Sequence, residues 1–439
     1  MRQTETKRLY IRKEDFVKRY IIIGTFFDMG GGQLYTRNKT DFLKKNGWVV
    51  DVYTGRSGKL YLDDMKMYED NYYRELNHIP FYTSVKRQKQ IIREIAGDIS
   101  QYNEIVIESH KQPFALWGEM LAQYMQAKHV FFDLDEDFVE FEEWYYDFLD
   151  FKYERRELAG INNMSMQKIF KSHREIAEGK NYYLKFSCGN SICDINNDII
   201  ESAEEADINL GSISRLNKDY IMPMMKEIAL FAQNNLQKNI ALFIVGDCDD
   251  KTIELKIKEI FSEIKNLKVY FLGYLSPIPQ VLIDKVDYFI GTSGSACLTA
   301  AQKKVTITID TMNAAPIGIM GVDAANAVFA DGKCGYERLS DYLQHICIEE
   351  SKEEIRDKIC LQDELLQNDY MKEFKNHMKF IEESENKKNY YNFQQRPLKH
   401  RAFCKIVSIL GIDKCINIRN FLTMKVTIQN HPYSKMKLG

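Results

Sequence analysis

The sequence predicts an α/β chain with two parallel sheets facing a central cleft. Three observations carry this. Short β-branched, apolar runs alternate with helix-length segments, as strand–helix–strand units require, and the alternation begins afresh near Ala206. Glycine- or serine-rich turns follow strands in both series, at Gly30–Gly32 and at Gly291–Ser295. At 439 residues the chain is also longer than one core ordinarily organises, so two units of roughly 200 residues are expected. We place a first Rossmann-like unit at 15–200, a second at 205–345 and a helical extension at 350–439.

In the first unit, Tyr20–Thr25 reads as a buried strand running into Phe26–Gln33. A helix follows to Lys45, and Asn46-Gly47 stops it. Strands are expected at Trp48–Tyr53, Glu104–Ser109, His129–Asp133 and Tyr182–Ser187. Helices are expected at Val85–Ile95, Phe114–Gln126, Asp137–Arg156 and Ser165–Glu178. The second unit repeats the plan. Its strands are Ala206–Ser214, Ile240–Gly246, Lys268–Leu272, Asp287–Ile290 and Val305–Ile309. Its helices are Pro223–Leu236, Thr252–Ile264, Ile278–Asp284 and Leu298–Gln302. Pro316–Gly321 reads as a second glycine loop, and Glu353–Glu385 as a long polar helix without a strong apolar face.

Composition narrows the function classes. Charged residues make up 28% of the chain, and no apolar run reaches the length of about 18 residues that a membrane span needs. The opening MRQTETKRLY is charged and lacks the apolar stretch of a secretory signal. Nine scattered cysteines without a CxxC pair suit reduced thiols rather than disulfides or zinc, and thus a cytoplasmic setting. From Arg396 to Gly439, nine Lys and Arg face the single acid Asp413, with apolar residues such as Ile406, Ile409 and Phe421 between them. That pattern suits either attachment to an anionic membrane surface or a terminal helix packed on its own protein. Basic residues gathered in a tail, rather than across a sheet face, argue against nucleic acid.

The candidate site is Asp287–Gly321. A loop of Gly291, Thr292, Ser293, Gly294 and Ser295 at the carboxyl end of a strand offers N–H groups and hydroxyls to an anion such as a diphosphate. A dinucleotide-binding dehydrogenase is disfavoured. Gly30–Gly32 are contiguous rather than spaced G-x-G-x-x-G, and Tyr53-Thr54-Gly55 stands where the ribose-binding acid belongs. His110 follows a strand, as a reacting-site histidine or an ordinary loop histidine would. Asp133, Asp135, Glu136 and Asp137 read as a solvated acidic loop, a cation site or the source of a general base. Helix capping accounts for Asp247, Asp249 and Asp250, and Asp310 and Asp323 flank Pro316–Gly321, within reach of donor hydroxyls.

From residue 18 to 345 the chain resembles GT-B glycosyltransferases of the large family-4-like group, in a divergent surface-polysaccharide subset. The resemblance rests on GGGQ at Gly30–Gln33, NGWVVDVYTG at Asn46–Gly55, SISRLNKD at Ser212–Asp219, LFIVGD at Leu242–Asp247, VYFLGYLS at Val269–Ser276 and VDYFIGTSGS at Val286–Ser295. It implies a nucleotide-sugar donor, a lipid-linked or oligosaccharide acceptor, a cytoplasmic or inner-membrane-face location, and transfer without a metal or other cofactor. It also implies roles for residues. Arg215 holds the donor diphosphate, with Lys218 standing in for a lysine whose position is Tyr220. His110 lies near the reacting sugar. Gly31, Gly32, Gly246, Ser293, Gly294, Ser295, Thr299, Ile317 and Gly318 form the donor-binding set. The relatives carry two glutamates near Ser295 and Thr299, and neither is present here.

Overall fold

The first sheet is wholly parallel. Its strands are β1 (Lys18–Ile23), β2 (Trp48–Tyr53), β3 (Glu104–Ser109), β4 (Lys128–Phe132) and β5 (Leu158–Ala159), in the order β2-β1-β3-β4-β5. A computed structural model describes residues 17–134, 143–161, 163–170, 173–176, 183–248, 250–324, 328, 330, 332–360, 370–385, 389–393, 398–411 and 414–415. The helices of this half are α1 (Gly31–Lys45), α2 (Val85–Ala96), α3 (Gln112–Met125), α4 (Glu143–Glu154) and α5 (Asn163–Phe170). Alternate strand residues feed two faces, as a pleated strand requires. Tyr20 and Ile22 join Val52, Val106 and Phe132 on the α1 side, while Ile21, Ile23 and Ile107 meet Ile91, Ile95 and Trp117 on the other.

A short parallel pair, β6 (Ile192–Cys193) with β10 (Ile278–Pro279), ties the connection between the halves to the second half. Helix α6 (Asp198–Glu201) leads into β7 (Ile208–Ile213). The second sheet continues with β8 (Ile240–Val245), β9 (Leu267–Gly273), β11 (Tyr288–Gly291), β12 (Val305–Ile309) and β13 (Pro316–Ile319). Its order is β13-β12-β11-β7-β8-β9, with β13 antiparallel to β12. The helices here are α7 (Ile221–Asn234), α8 (Lys251–Phe261), α9 (Gln280–Lys285), α10 (Ser293–Ala301) and α11 (Leu339–Gln344). Then come α12 (Lys352–Cys360), α13 (Tyr370–Glu383) and α14 (Leu398–Leu410).

Local chemistry explains several boundaries. Gly47, at φ 79°, turns the chain out of α1 in the left-handed region. Ser84 Oγ accepts from Arg87 N to cap α2, and Asp250 Oδ1 accepts from Thr252 N to cap α8. Other expectations need correcting. Tyr183 makes a single bridge to Gly160 rather than starting a strand, because the fifth strand is Leu158–Ala159. The helix expected to reach Glu178 ends at Phe170. Helix α10 begins at Ser293, so the serine–glycine run is its first turn and not a free loop. Pro316–Ile319 is a buried edge strand. Among the described residues Glu353–Glu385 holds two helices rather than one, and α13 buries Phe374, His377, Phe380 and Ile381 in the core of the first half. Asp135, Glu136, Asp137 and Asp249 lie outside the described residues.

Candidate functional site

Doubly wound sheets bind ligands beyond the carboxyl ends of their strands, where strand order reverses. The first sheet reverses between β1 and β3 and the second between β7 and β11. The residues leaving these strands are Gly24, His110, Ser214-Arg215 and Thr292-Ser293. Side-chain packing brings the second pair of strand ends against the start of α1.

Two helices begin at one place. A Cβ on Gly31 would lie 3.0 Å from Phe186 Cε1 and 3.6 Å from Cys188 Cβ, and one on Gly294 would lie 3.1 Å from Cys188 Sγ. The N-termini of α1 and α10 therefore flank one residue from opposite halves. Neither helix has a side-chain cap or an acid in its first turn, so their leading N–H groups keep their positive end uncompensated by side chains. Arg215 adds a full charge. Its Cζ and Nε lie 3.8 Å from where a Gly30 Cβ would stand, and among the described residues no carboxylate pairs with it. Glycine at 30, 31 and 294 lets Gln33, Phe186 and Cys188 approach this closely. Ser293 holds φ 51°, an unusual conformation for a residue with a side chain, of the kind that clusters at functional turns.

The surroundings fix these parts. Asn38 of α1 donates to Ser187 O and Gly189 O, and Asn190 donates to Leu275 O, so the strap carrying Cys188 is tied to both halves. Gln33 Nε2 donates to Phe27 O at 2.8 Å and steadies the loop before α1. Gly246, at φ 138°, lets the Arg215 loop pass over it, since a Cβ there would fall 1.8 Å from Ser214 O. Tyr220 is buried and bonds Ser214 through its hydroxyl, which braces the residue before Arg215. Tyr61 meets Tyr274 edge-on across the halves at 4.6 Å. Burial, then the neighbouring Tyr61, push the Tyr274 hydroxyl up to about 12, against the opposing charge of Arg215. Cys188, Gln33, Tyr61 and Tyr274 were not singled out from sequence. Gln33 and Tyr274 fall inside the GGGQ and VYFLGYLS motifs, but nothing in the sequence marked Cys188 or Tyr61.

The side chains of the remaining expected residues are exposed or engaged with their own surroundings. Gly32 sits in the first turn of α1 against Thr25, and Lys218 is exposed on the turn after Arg215. Ser295 Oγ donates to Thr292 O, and the Thr299 hydroxyl is buried against Ser295 O, Ala296 O and Thr306 Oγ1. Ile317 and Gly318 are buried in β13. Asp323 accepts from Ile319 N and Asp310 from Met312 N and Ala330 N, so both acids brace backbone. His110 is buried, its Nδ1 directly beneath Gly24 and its Nε2 2.9 Å from Glu108 Oε1. Glu108 also accepts from Tyr20 and Tyr35 and lies 3.4 Å from Lys39 Nζ. Burial pushes the Glu108 carboxyl up. The opposing Lys39 charge, with His110 and His377, outweighs this and leaves it well below the usual carboxylate range.

No family model and no curated protein sequence matches the chain. Solved structures do. A glycosyltransferase from Rickettsia africae superposes with a TM-score of 0.56 at 13% identity, over 84% of this chain and 99% of that one. Anabaena HepE in complex with UDP and glucose gives 0.55 at 13%, over 83% and 99%. The fold is GT-B. The resemblance read from the ordered motifs is thus borne out at the level of architecture. In this GT-B chain Gly30, Cys188, Gly294 and Arg215 lie together where the two halves meet. Among the described residues, no cluster of three or more His, Cys, Asp or Glu is placed to hold a metal ion. Nor is any described helix long and apolar enough to cross a membrane.

Proposed function

We propose that this chain is a glycosyltransferase. It moves a sugar from a nucleotide-activated donor to a lipid-linked or oligosaccharide acceptor in cell-surface polysaccharide assembly. One observation carries the reading: two helix N-termini from opposite halves and the Arg215 guanidinium converge at one cleft position. Such a set holds a diphosphate and stabilises the negative charge that develops on it as the sugar departs. A guanidinium with fixed N–H dipoles does this without a metal, and Lys218 on the adjacent turn supplies a second cation. The backbones of Gly31, Gly32, Ser293, Gly294 and Ser295 face the phosphates. Gly246 keeps Arg215 in place, and Thr299, Ile317 and Gly318 hold the wall behind them. His110 acts from beneath Gly24, orienting the floor on which the transferred sugar rests. HepE, a structure of similar fold, is solved with UDP-glucose, so uridine nucleotides are the first donors to try.

A second reading has its own observation. Tyr220 replaces a phosphate-holding lysine and is spent on Ser214, the Ser295 hydroxyl is spent on Thr292 O, and the Thr299 hydroxyl on Thr306 and α10 carbonyls. A GT-B protein that binds a nucleotide sugar, or a partner transferase, without turning the sugar over fits this. The test is calorimetric binding and turnover with a panel of UDP-, GDP- and ADP-sugars plus membrane extract. Binding with transfer supports the enzyme. Binding of a donor without turnover of any supports the second reading, and failure to bind any nucleotide removes the donor site.

A further inference from the structure

A recessed cavity of about 130 Å³ lies in the first half, away from the cleft. It is walled by Lys128, where β4 starts, and by Glu157, just before β5, whereas the Arg215 cluster lies beyond the carboxyl ends of the strands. Among the described residues lining it, only Ala127 lacks a polar side chain. Glu119, Glu157 and Glu385 are set against Lys128, Lys152 and Arg155. The floor is built in advance. Lys152 Nζ donates to Glu119 Oε2 at 2.8 Å, to Glu157 Oε2 at 2.6 Å and to His129 O at 2.9 Å, which uses its three N–H groups. Arg155 donates twice more to Glu157, and His129 Nδ1 lies 2.8 Å from Glu119 Oε2. Burial pushes the Glu119 carboxyl up, but the Lys152 charge and the His129 bond outweigh it and keep the group ionised. Burial, then the Lys152 charge, pushes the His129 imidazole down, so the ring is neutral at pH 7. The charges of the described lining residues therefore balance, three against three.

We propose that this cavity binds a small, neutral, polyhydroxylated molecule. Its volume is close to the roughly 150 Å³ that takes up a benzene-sized ring. Charge decides the class of ligand. A phosphate or a metal cation would upset the balance and leave charge uncompensated in a recessed place. A zwitterion such as glycine would have to break the Lys152 or Arg155 pairs to seat its own two charges. Hydroxyl groups need neither, because they add to a paired network without displacing any member. An ionised carboxylate offers about four acceptor positions. Among the described contacts Glu119 fills three, from His129, Lys152 and Tyr391 N, and Glu157 fills three, from Lys152 and Arg155. Each keeps a position for an incoming O–H. Lys128 Nζ gives one N–H to Ile381 O at 2.6 Å, and a hydroxyl oxygen accepts another. Exposed Gln126 and Asn389 add amides that both donate and accept. Tyr390 is fixed beside them by its hydroxyl, which donates to Ala127 O at 3.0 Å. This site stands apart from the reaction proposed above, since none of its residues belongs to the cleft set.

The experiment is saturation-transfer NMR and calorimetric titration of the full chain. The probes are glucose, galactose, myo-inositol and glycerol, with glycine and inorganic phosphate beside them. Binding of at least one neutral polyol is expected. Preference for the ring compounds assigns the cavity to a sugar or cyclitol ring, and preference for glycerol to an open-chain polyol. Lys128→Met removes the ammonium but keeps its stem, and should weaken binding at least about tenfold. Asn389→Trp roofs the cavity from an exposed position, so it should melt like the parent yet abolish binding. Absence of parent binding to every polyol overturns the proposal, as does undiminished binding by either variant. Tighter binding of glycine or phosphate than of any polyol overturns it as well.

Discussion

Arg215 is the residue on which the cleft chemistry turns. It follows β7 at the point of strand reversal, its guanidinium lies beside Gly30 just before α1, and no described carboxylate offsets its charge. Arg215→Ala should cost about 2–4 kcal/mol of transition-state stabilisation, a fall of roughly 10²–10³ in turnover. The melting temperature should barely move, because among the described residues the side chain has no carboxylate partner to strand. Steady-state kinetics with the best donor checks this, and unchanged turnover removes Arg215 from the mechanism. Its position was legible because a strand, a serine and an arginine stand in order in SISRLNKD. The roles of Ser295 and Thr299 were not. A hydroxyl near a glycine loop reads as a ligand group, but within a helix it returns its proton to the carbonyl three or four residues back, as both do here. For His110, sequence shows the strand end but not the depth of burial beneath Gly24.

Among the elements, α13 and β13 departed most from expectation, and each has a physical reason. Helix α13 looks polar because its inward stripe of Phe374, His377 and Ile381 is interrupted by a histidine. Tyr35 and Lys185 O supply the partners that make that histidine tolerable inside. Strand β13 looked like a loop because proline and glycine usually mark one. At the first position of an edge strand, however, proline forfeits no ladder bond. The energetic importance of α13 can be measured. Phe374 is fully buried, contacts the rings of Tyr35, Phe42 and His377, and lies under the Lys39 ammonium at 5.1 Å. Phe374→Ala should destabilise the first half by about 3–5 kcal/mol in urea unfolding. A loss below 1 kcal/mol, against the roughly 3 expected at minimum, would mean the helix is not integral to that core.

On the scale of the whole molecule, the two sheets followed from alternating pattern and punctuation, whereas their strand order and the return of the chain to its first half did not. That return has a pH signature. Burial holds His377 down at about 3 in the folded protein, with the Lys39 charge adding to it, against an ordinary value of 6.5. The unfolded chain therefore takes up a proton that the native state refuses. Stability from this group is complete above pH 6.5 and is lost as pH falls toward 3. Between neutral pH and about 4.5 the parent should lose some 2–3 kcal/mol more than His377→Gln, read from urea midpoints at the two pH values. Equal losses in the two proteins would exclude His377 as the source. The same return bears on synthesis. Tyr35, Lys39 and Glu108 lie in the first quarter of the chain, but His377 and Phe374, which cover them, lie near its end. Ribosomes add about 5–20 residues per second, so the nascent first half waits on the order of ten seconds or more, with α1 uncovered, while the second half is made. A fragment ending near residue 200 never receives that cover, and the chain becomes a finished molecule only when its late helix arrives.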